Sequence, residues 1–234
     1  MTHLEPAAID LARAGEQWSA YVEVFRGLRW DIRTIDGIDQ CPDAVFIEDT
    51  AVVFGDLAVT TRPGAPSRVA EVEGVRAPLL DCDLEVVDLA GGRLDGGDVL
   101  KVGRRVWVGL GGRTSTAGIA ALEQLLVPRG WDVRAVPISR VLHLKSAVTA
   151  LPDGTIIGYP PLLDDESIFE TFLPVPEEAG SHVVITGPDR LLLSASAPQT
   201  ASLLRSKGYI IDVVDISEFE KLEGCVTCLS IRVR

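Results

Sequence analysis

The chain has 234 residues, 47% of them hydrophobic, and 34 Asp and Glu outweigh 22 Lys and Arg to leave a net charge of −12. That length and apolar content support a substantial core, but no run reaches the ~18 apolar residues of a membrane span. The acidic balance excludes a basic face for phosphate backbones, so neither a membrane nor a nucleic acid is expected as partner.

The opening Met1-Thr2-His3-Leu4-Glu5-Pro6 lacks the basic and apolar parts of a signal peptide. The four cysteines have no repeated spacing and do not suggest a disulfide scaffold. A cytoplasmic setting is the expectation. Leu11, Ala14, Trp18, Tyr21, Val22, Phe25 and Leu28 recur at helical spacing, predicting an amphipathic helix over 7–28 with Pro6 in its first turn. Trp30–Ile35 alternates like a strand.

A pattern then repeats. Ala44–Val53, the Gly55-Asp56 turn and Leu57–Thr61 read as a hairpin, closed by a strand at Leu84–Leu89. Asp98–Val102 and Arg105–Leu110 form the next, with a helix at Thr114–Leu126 and a strand at Val133–Ile138. His143–Leu151 and Thr155–Tyr159 form the third, with a short helix near 164–172 and an extended Leu173–Val175. His182–Thr186 and Arg190–Ser194 form the fourth, with a helix from Pro198 to Lys207 stopped by Gly208 and a strand at Ile210–Ile216. Such repetition points to a ring or array of similar modules. No linker interrupts it, so residues 1–234 are expected to form one domain.

The chain ends Leu222-Glu223-Gly224-Cys225-Val226-Thr227-Cys228-Leu229-Ser230-Ile231-Arg232-Val233-Arg234. Its alternation predicts a strand with Cys225 and Cys228 on opposite faces. That parity, with no second Cys-x-x-Cys or His pair, disfavours a shared zinc or redox site. Taken alone, the two thiols read as small core residues.

Several polar residues stand at hairpin starts. Glu48-Asp49 interrupts an apolar run and reads either as a solvated strand end or, with Asp43, as a cation-binding cluster. Asp95-Gly96-Gly97-Asp98 reads as a turn or as a place of close backbone approach. His143 pairs in principle with a cysteine for nucleophilic catalysis. Arg68 and Arg113 follow the second strand of successive hairpins, where each is a surface charge or a fork for a carboxylate.

Together, Asp43–Val53, Thr61–Arg68, Leu94–Val99, Val108-Gly109-Leu110 with Arg113-Thr114, His143–Ser146 and Thr227–Ser230 resemble the dimethylarginine dimethylaminohydrolase family of guanidine-modifying enzymes. The resemblance implies a pentein fold, a five-bladed α/β-propeller of strand–strand–helix–strand modules around a central active site. It implies hydrolysis of Nω-methylated arginine to citrulline and a methylamine, with no cofactor and no metal. Cys228 would be the nucleophile, His143 the general acid and base, and Asp95 the carboxylate orienting His143. Asp43, Glu48 and Asp49 would bind the guanidinium and α-amino groups of a small cationic substrate. Arg68 and Arg113 would hold its carboxylate, Leu222 would offer backbone contact, and Phe46 would line the pocket. A related hydrolase or amidinotransferase acting on arginine or another guanidino compound, and a non-enzymatic ribosome-binding relative, are the alternatives. The family's strand and lid before the first helix have no counterpart after Met1. The first module is therefore expected to be truncated, with a sheet edge open beside the Cys228 strand that leaves room for a homodimer.

Overall fold

The structure, a computed structural model, describes residues 8–233. Among the described residues, four three-stranded sheets follow one another. They are β1 (Ala51–Phe54), β2 (Leu57–Thr60) and β3 (Glu85–Asp88); β4 (Val99–Val102), β5 (Arg105–Leu110) and β6 (Asp132–Pro137); β7 (Val148–Ala150), β8 (Ile156–Gly158) and β9 (Phe172–Pro174); and β10 (Val183–Ile185), β11 (Arg190–Ser194) and β12 (Ile210–Val214). The helices are α1 (Leu11–Gly27), α2 (Glu73–Leu80), α3 (Thr116–Leu126), α4 (Pro198–Ser206) and α5 (Ser217–Glu220).

Every sheet has the same plan. Its first two strands are antiparallel and its third is parallel to the second. Three of the hairpin turns carry a glycine at positive φ, namely Gly55, Gly103 and Gly154, where a side chain would be strained. The crossover after the hairpin is α2, α3 or α4 in three modules. In the third it is a pair of 3-10 turns, Pro160–Leu162 and Glu166–Ile168, where a short helix was expected near 164–172.

The chain forms two compact units. One comprises Arg33–Leu144 with Cys228–Arg234. In it, Val52 and Phe54 of β1 pack with Val99, Val106, Leu122 and Leu126. The alternate residues Ala51 and Val53 pack with Val75 and Leu79 of α2, against which Ile231 and Val233 also lie. Strand β1 is thus buried on both faces, which is why its sequence runs on as unbroken apolar residues. The other unit comprises the chain up to Ile32 with Lys145–Thr227. Its core joins Ile157, Val183, Leu191 and Leu193 to Ala201 and Leu204 of α4. In the same unit Tyr21 of α1 donates a buried 2.9 Å hydrogen bond to the Val226 carbonyl.

Some sequence expectations shift. The α1 helix starts after Asp10, whose carboxylate caps the amides of Ala12 and Arg13. Its buried stripe is Gln17, Tyr21 and Phe25, and Leu11 is exposed. Pro6 and the chain start lie outside the described residues. Trp30–Ile35 is not a strand, and α3 begins at Thr116 with Ser115 as its cap.

Two corrections matter for function. Residues 225–233 form no strand: Val226–Leu229 turn, and Cys225, Val226 and Thr227 are buried in succession. The parity argument that separated Cys225 from Cys228 therefore falls. The first strand of each module also starts late. A 3-10 helix precedes it, at Ile47–Thr50, Gly96–Asp98, Leu144–Ser146 and Glu178–Ser181. Glu48, Asp49 and Asp98 sit on such turns, and His143 immediately before one.

Candidate active site

The turns bring polar side chains together in the unit formed by Arg33–Leu144 and Cys228–Arg234. Asp95 is fully buried, and its Oδ2 lies 2.9 Å from Nε2 of the buried His143. Its Oδ1 accepts the Gly64 amide at 2.6 Å, and Arg113 Nη1 stands 3.5 Å from Oδ2. Asp49, also buried, accepts the Gly97 amide on Oδ1 at 2.7 Å and lies 3.8 Å from His143 Nε2. Gly97 admits this approach: a Cβ there would stand 2.7 Å from Asp49 Oδ1 and 2.8 Å from His143 Cγ.

The turn carrying Glu48 joins the Cys228 segment through the backbone. The Glu48 amide donates to the Cys228 carbonyl at 3.1 Å, and Cys228 is half-buried. Glu48 Oε1 accepts from Arg232 Nη2 at 2.9 Å, and Arg232 also donates to Ser230. Phe46 is buried and Asp43 half-buried.

Arg68 departs from expectation. It does not extend from the hairpin exit as a free fork but is buried and turned inward. Its Nε and Nη2 hold both oxygens of Glu71, its Nη1 holds Asp49 Oδ2, and Nη2 donates to the Phe46 carbonyl at 2.8 Å. In this arrangement Arg68 fixes Asp49. Arg113, half-buried on Asp95, is the arginine that keeps surface for another carboxylate. Leu222 belongs to the other unit and is exposed.

Electrostatics follow from this packing. Burial works against the His143 imidazolium, but the charges of Asp49 and Asp98 and the hydrogen bond His143 donates to Asp95 overcome it and raise its pKa to about 9. Burial would raise Asp95, yet the His143 contact, the Gly64 amide and Arg113 hold it below the usual carboxylate range. Burial pushes Asp98 up to about 6. Burial, with the nearby Asp49 and Asp43, also raises Glu71 despite its arginine.

Asp49, Asp95 and His143 offer three ligand atoms within 4.8 Å of one another. Each oxygen of the two aspartates already accepts a donor from the chain, so none is a bare metal ligand, while each keeps a second lone pair for a further donor. The set reads as a buried cluster in which two carboxylates face the His143 imidazole. Sequence reasoning missed Glu71 and Thr114 as parts of it. For Glu71 the legible signal is its place three residues after Arg68, a helical ion-pair spacing. Thr114, next to Arg113, carries no signal in its residue type.

No protein-family model matches the chain. A dimethylarginine dimethylaminohydrolase from Streptomyces coelicolor is 55% identical over 236 aligned residues, covering all of this chain and 91% of that one. The solved structure of the Pseudomonas aeruginosa enzyme, a cysteine-to-serine variant complexed with citrulline, has a TM-score of 0.90 at 27% identity, covering 99% of this chain and 92% of that one. An adduct of a dimethylarginine dimethylaminohydrolase variant with S-methyl-L-thiocitrulline has a TM-score of 0.91 at 27% identity, covering 99% and 93%.

The fold class is thus the pentein α/β-propeller of guanidine-modifying enzymes, as the repeated modules and the motif set implied. Full-length identity of 55% goes further: the chain belongs to the dimethylarginine dimethylaminohydrolase family.

Proposed function

We propose that the protein hydrolyses Nω-methylated arginines to citrulline and a methylamine. The observation that carries this reading is the buried Asp95–His143 pair standing against Asp49, with the Glu48 turn bonded to the Cys228 backbone. A carboxylate wall suits a guanidinium, and a histidine held protonated suits an amine leaving group.

In this reading Asp49 and Glu48 take the guanidinium, Asp43 the amino end, and Phe46 the pocket wall. Arg113 takes the substrate carboxylate. Arg68, assigned the same task by the resemblance, holds Asp49 toward the guanidinium. The Cys228 thiolate attacks the guanidinium carbon, forming a C–S bond and a tetrahedral adduct. His143 gives its proton to the methylamine nitrogen, the C–N bond breaks, and a thiouronium remains on Cys228. The neutral imidazole then accepts a proton from water as the oxygen attacks the same carbon. Collapse breaks the C–S bond, the proton on the attacking oxygen passes to the released amine through solvent, and the thiolate and citrulline are left. Asp95 holds the ring through both steps. No helix among the described residues is long and apolar enough to cross a membrane. We place the enzyme in the cytoplasm, acting on a free small molecule across residues 1–234 as one catalytic domain.

The test is citrulline release from asymmetric dimethylarginine, monomethylarginine and arginine, with mass spectrometry of the quenched enzyme. Citrulline from the methylated substrates and an adduct on Cys228 are expected, and Cys228→Ser should lose turnover. Release from arginine alone, or full turnover by Cys228→Ser, would overturn the reading.

A further inference from the structure

We propose that Asp98 is a positioning residue for the reaction, a single buried carboxylate that fixes the backbones carrying Asp95 and His143 relative to one another. The proposal rests on the catalytic pair assigned above.

Asp98 is fully buried and makes no contact that the mechanism uses. Its Oδ1 accepts the amide of Leu144 at 2.9 Å, the residue directly after His143. Its Oδ2 accepts the hydroxyl of Thr114 at 2.6 Å. With its proton given to Asp98, Thr114 Oγ1 turns its lone pairs outward, and one accepts the amide of Asp95 at 3.2 Å. A continuous path therefore runs from the Asp95 amide through Thr114 and Asp98 to the Leu144 amide. It ties together two segments that also meet through the 2.9 Å side-chain contact of His143 and Asp95. The carboxylate has little room to move, since a Cβ on Gly109 would fall 2.4 Å from its Oδ1.

The chemistry of this path requires an acceptor on both sides. The Leu144 amide can only donate, and the Thr114 hydroxyl is used as a donor. Asparagine has the same shape but one oxygen. That oxygen must face Leu144, which leaves an amide donor facing Thr114. The hydroxyl must then accept twice, and its own proton is unpaired in a closed site. Placement errors of about 1 Å at a reacting pair cost on the order of 100-fold in rate. The groups facing His143 besides Asp98 are Asp49 and Asp95, with Arg68 on Asp49 and Arg113 on Asp95.

The experiment uses the full chain with Asp98→Asn, Thr114→Val and Thr114→Ser. It combines steady-state kinetics, thermal melts to establish folding, and NMR titration of the His143 imidazole. Thr114→Val keeps the carboxylate charge and cuts the path. It should lower kcat roughly 10- to 100-fold with KM nearly unchanged and leave the His143 midpoint near its parental value. Thr114→Ser should restore kcat. Asp98→Asn should lower kcat as well and move the His143 midpoint to lower pH, because one facing negative charge is gone. Parental kcat in folded Thr114→Val overturns the proposal even if Asp98→Asn does not fold. A parental His143 midpoint in folded Asp98→Asn overturns it too. Failure of the underlying reading looks different: the parent itself releases no citrulline, while the imidazole titration still reports on Asp98.

Discussion

The turn leading into β4 and the turn leading into β10 share a backbone plan and differ in what they carry. Each is a short 3-10 helix, Gly96–Asp98 or Glu178–Ser181, followed by an antiparallel hairpin and a parallel third strand. The first ends in Asp98, fully buried with a donor on each oxygen. The second ends in Ser181, equally buried, whose hydroxyl has no partner among the described residues. Its carbonyl accepts from Thr149 Oγ1 at 2.6 Å. The same scaffold thus tolerates an idle hydroxyl at one turn and leaves no acceptor idle at the other. A buried charge without partners costs far more than a buried hydroxyl, so the charged turn must be fully bonded to exist.

This contrast can be broken from the charged side first. Asp95→Asn should lower kcat by roughly 100- to 10,000-fold, the usual range for losing general acid–base function. The amide replaces the carboxylate that holds the charged ring. Steady-state kinetics on folded protein read this, and near-parental kcat would show that the charged turns are structural only.

Proton linkage gives an intermediate effect. His143 is raised from 6.5 to about 9, so the folded state binds its proton more tightly than the unfolded state. Its stabilisation is complete below about pH 6.5 and is lost as pH rises through about 9. Asp98 runs the same way in a lower pH window. Its carboxyl, raised from 3.8 to about 6, makes stability fall as pH climbs across that lower window. Melts of the parent should therefore lose on the order of 1–3 kcal/mol across the His143 window, and His143→Gln should flatten that slope. Identical slopes in the two proteins would remove His143 as the cause.

The neutral turn should give the smallest effect. Ser181→Ala deletes an unpartnered hydroxyl and is expected to leave kcat unchanged, with stability the same or up to about 1 kcal/mol higher. A clear loss of stability would mean that the hydroxyl is bonded after all and that the two turns are more alike than their residues suggest.

The repeated sheet plan was legible because its signals are local. Gly55, Gly103 and Gly154 mark turns at positive φ, and the strands between them are apolar. The 3-10 turns were not legible. Ala44–Val53 reads as one strand because β1 is packed on both faces, and the apolar run gives no sign of where its pairing begins. The C-terminal segment failed for a related reason. Alternating apolar residues at 225–233 mimic a strand, while Ile231 and Val233 instead serve the α2 side of the core. The site residues were recognisable as a set through the resemblance, but the inward turn of Arg68 was not. Its acceptors Asp49 and the Phe46 carbonyl lie some twenty residues away in sequence, and nothing in the local pattern announces them.

The bond from the Glu48 amide to the Cys228 carbonyl, with the Arg232–Glu48 ion pair beside it, has a kinetic meaning. Arg232 and Glu48 are 184 residues apart in sequence. Contacts that close so long a loop form against a large entropic cost, after the hairpins and helices that need only nearby residues. A refolding chain should therefore regain its circular dichroism well before it regains turnover. Every partly folded form that lacks it would leave the Cys228 segment undocked from the Glu48 turn, and turnover would wait on a contact that closes 184 residues of chain.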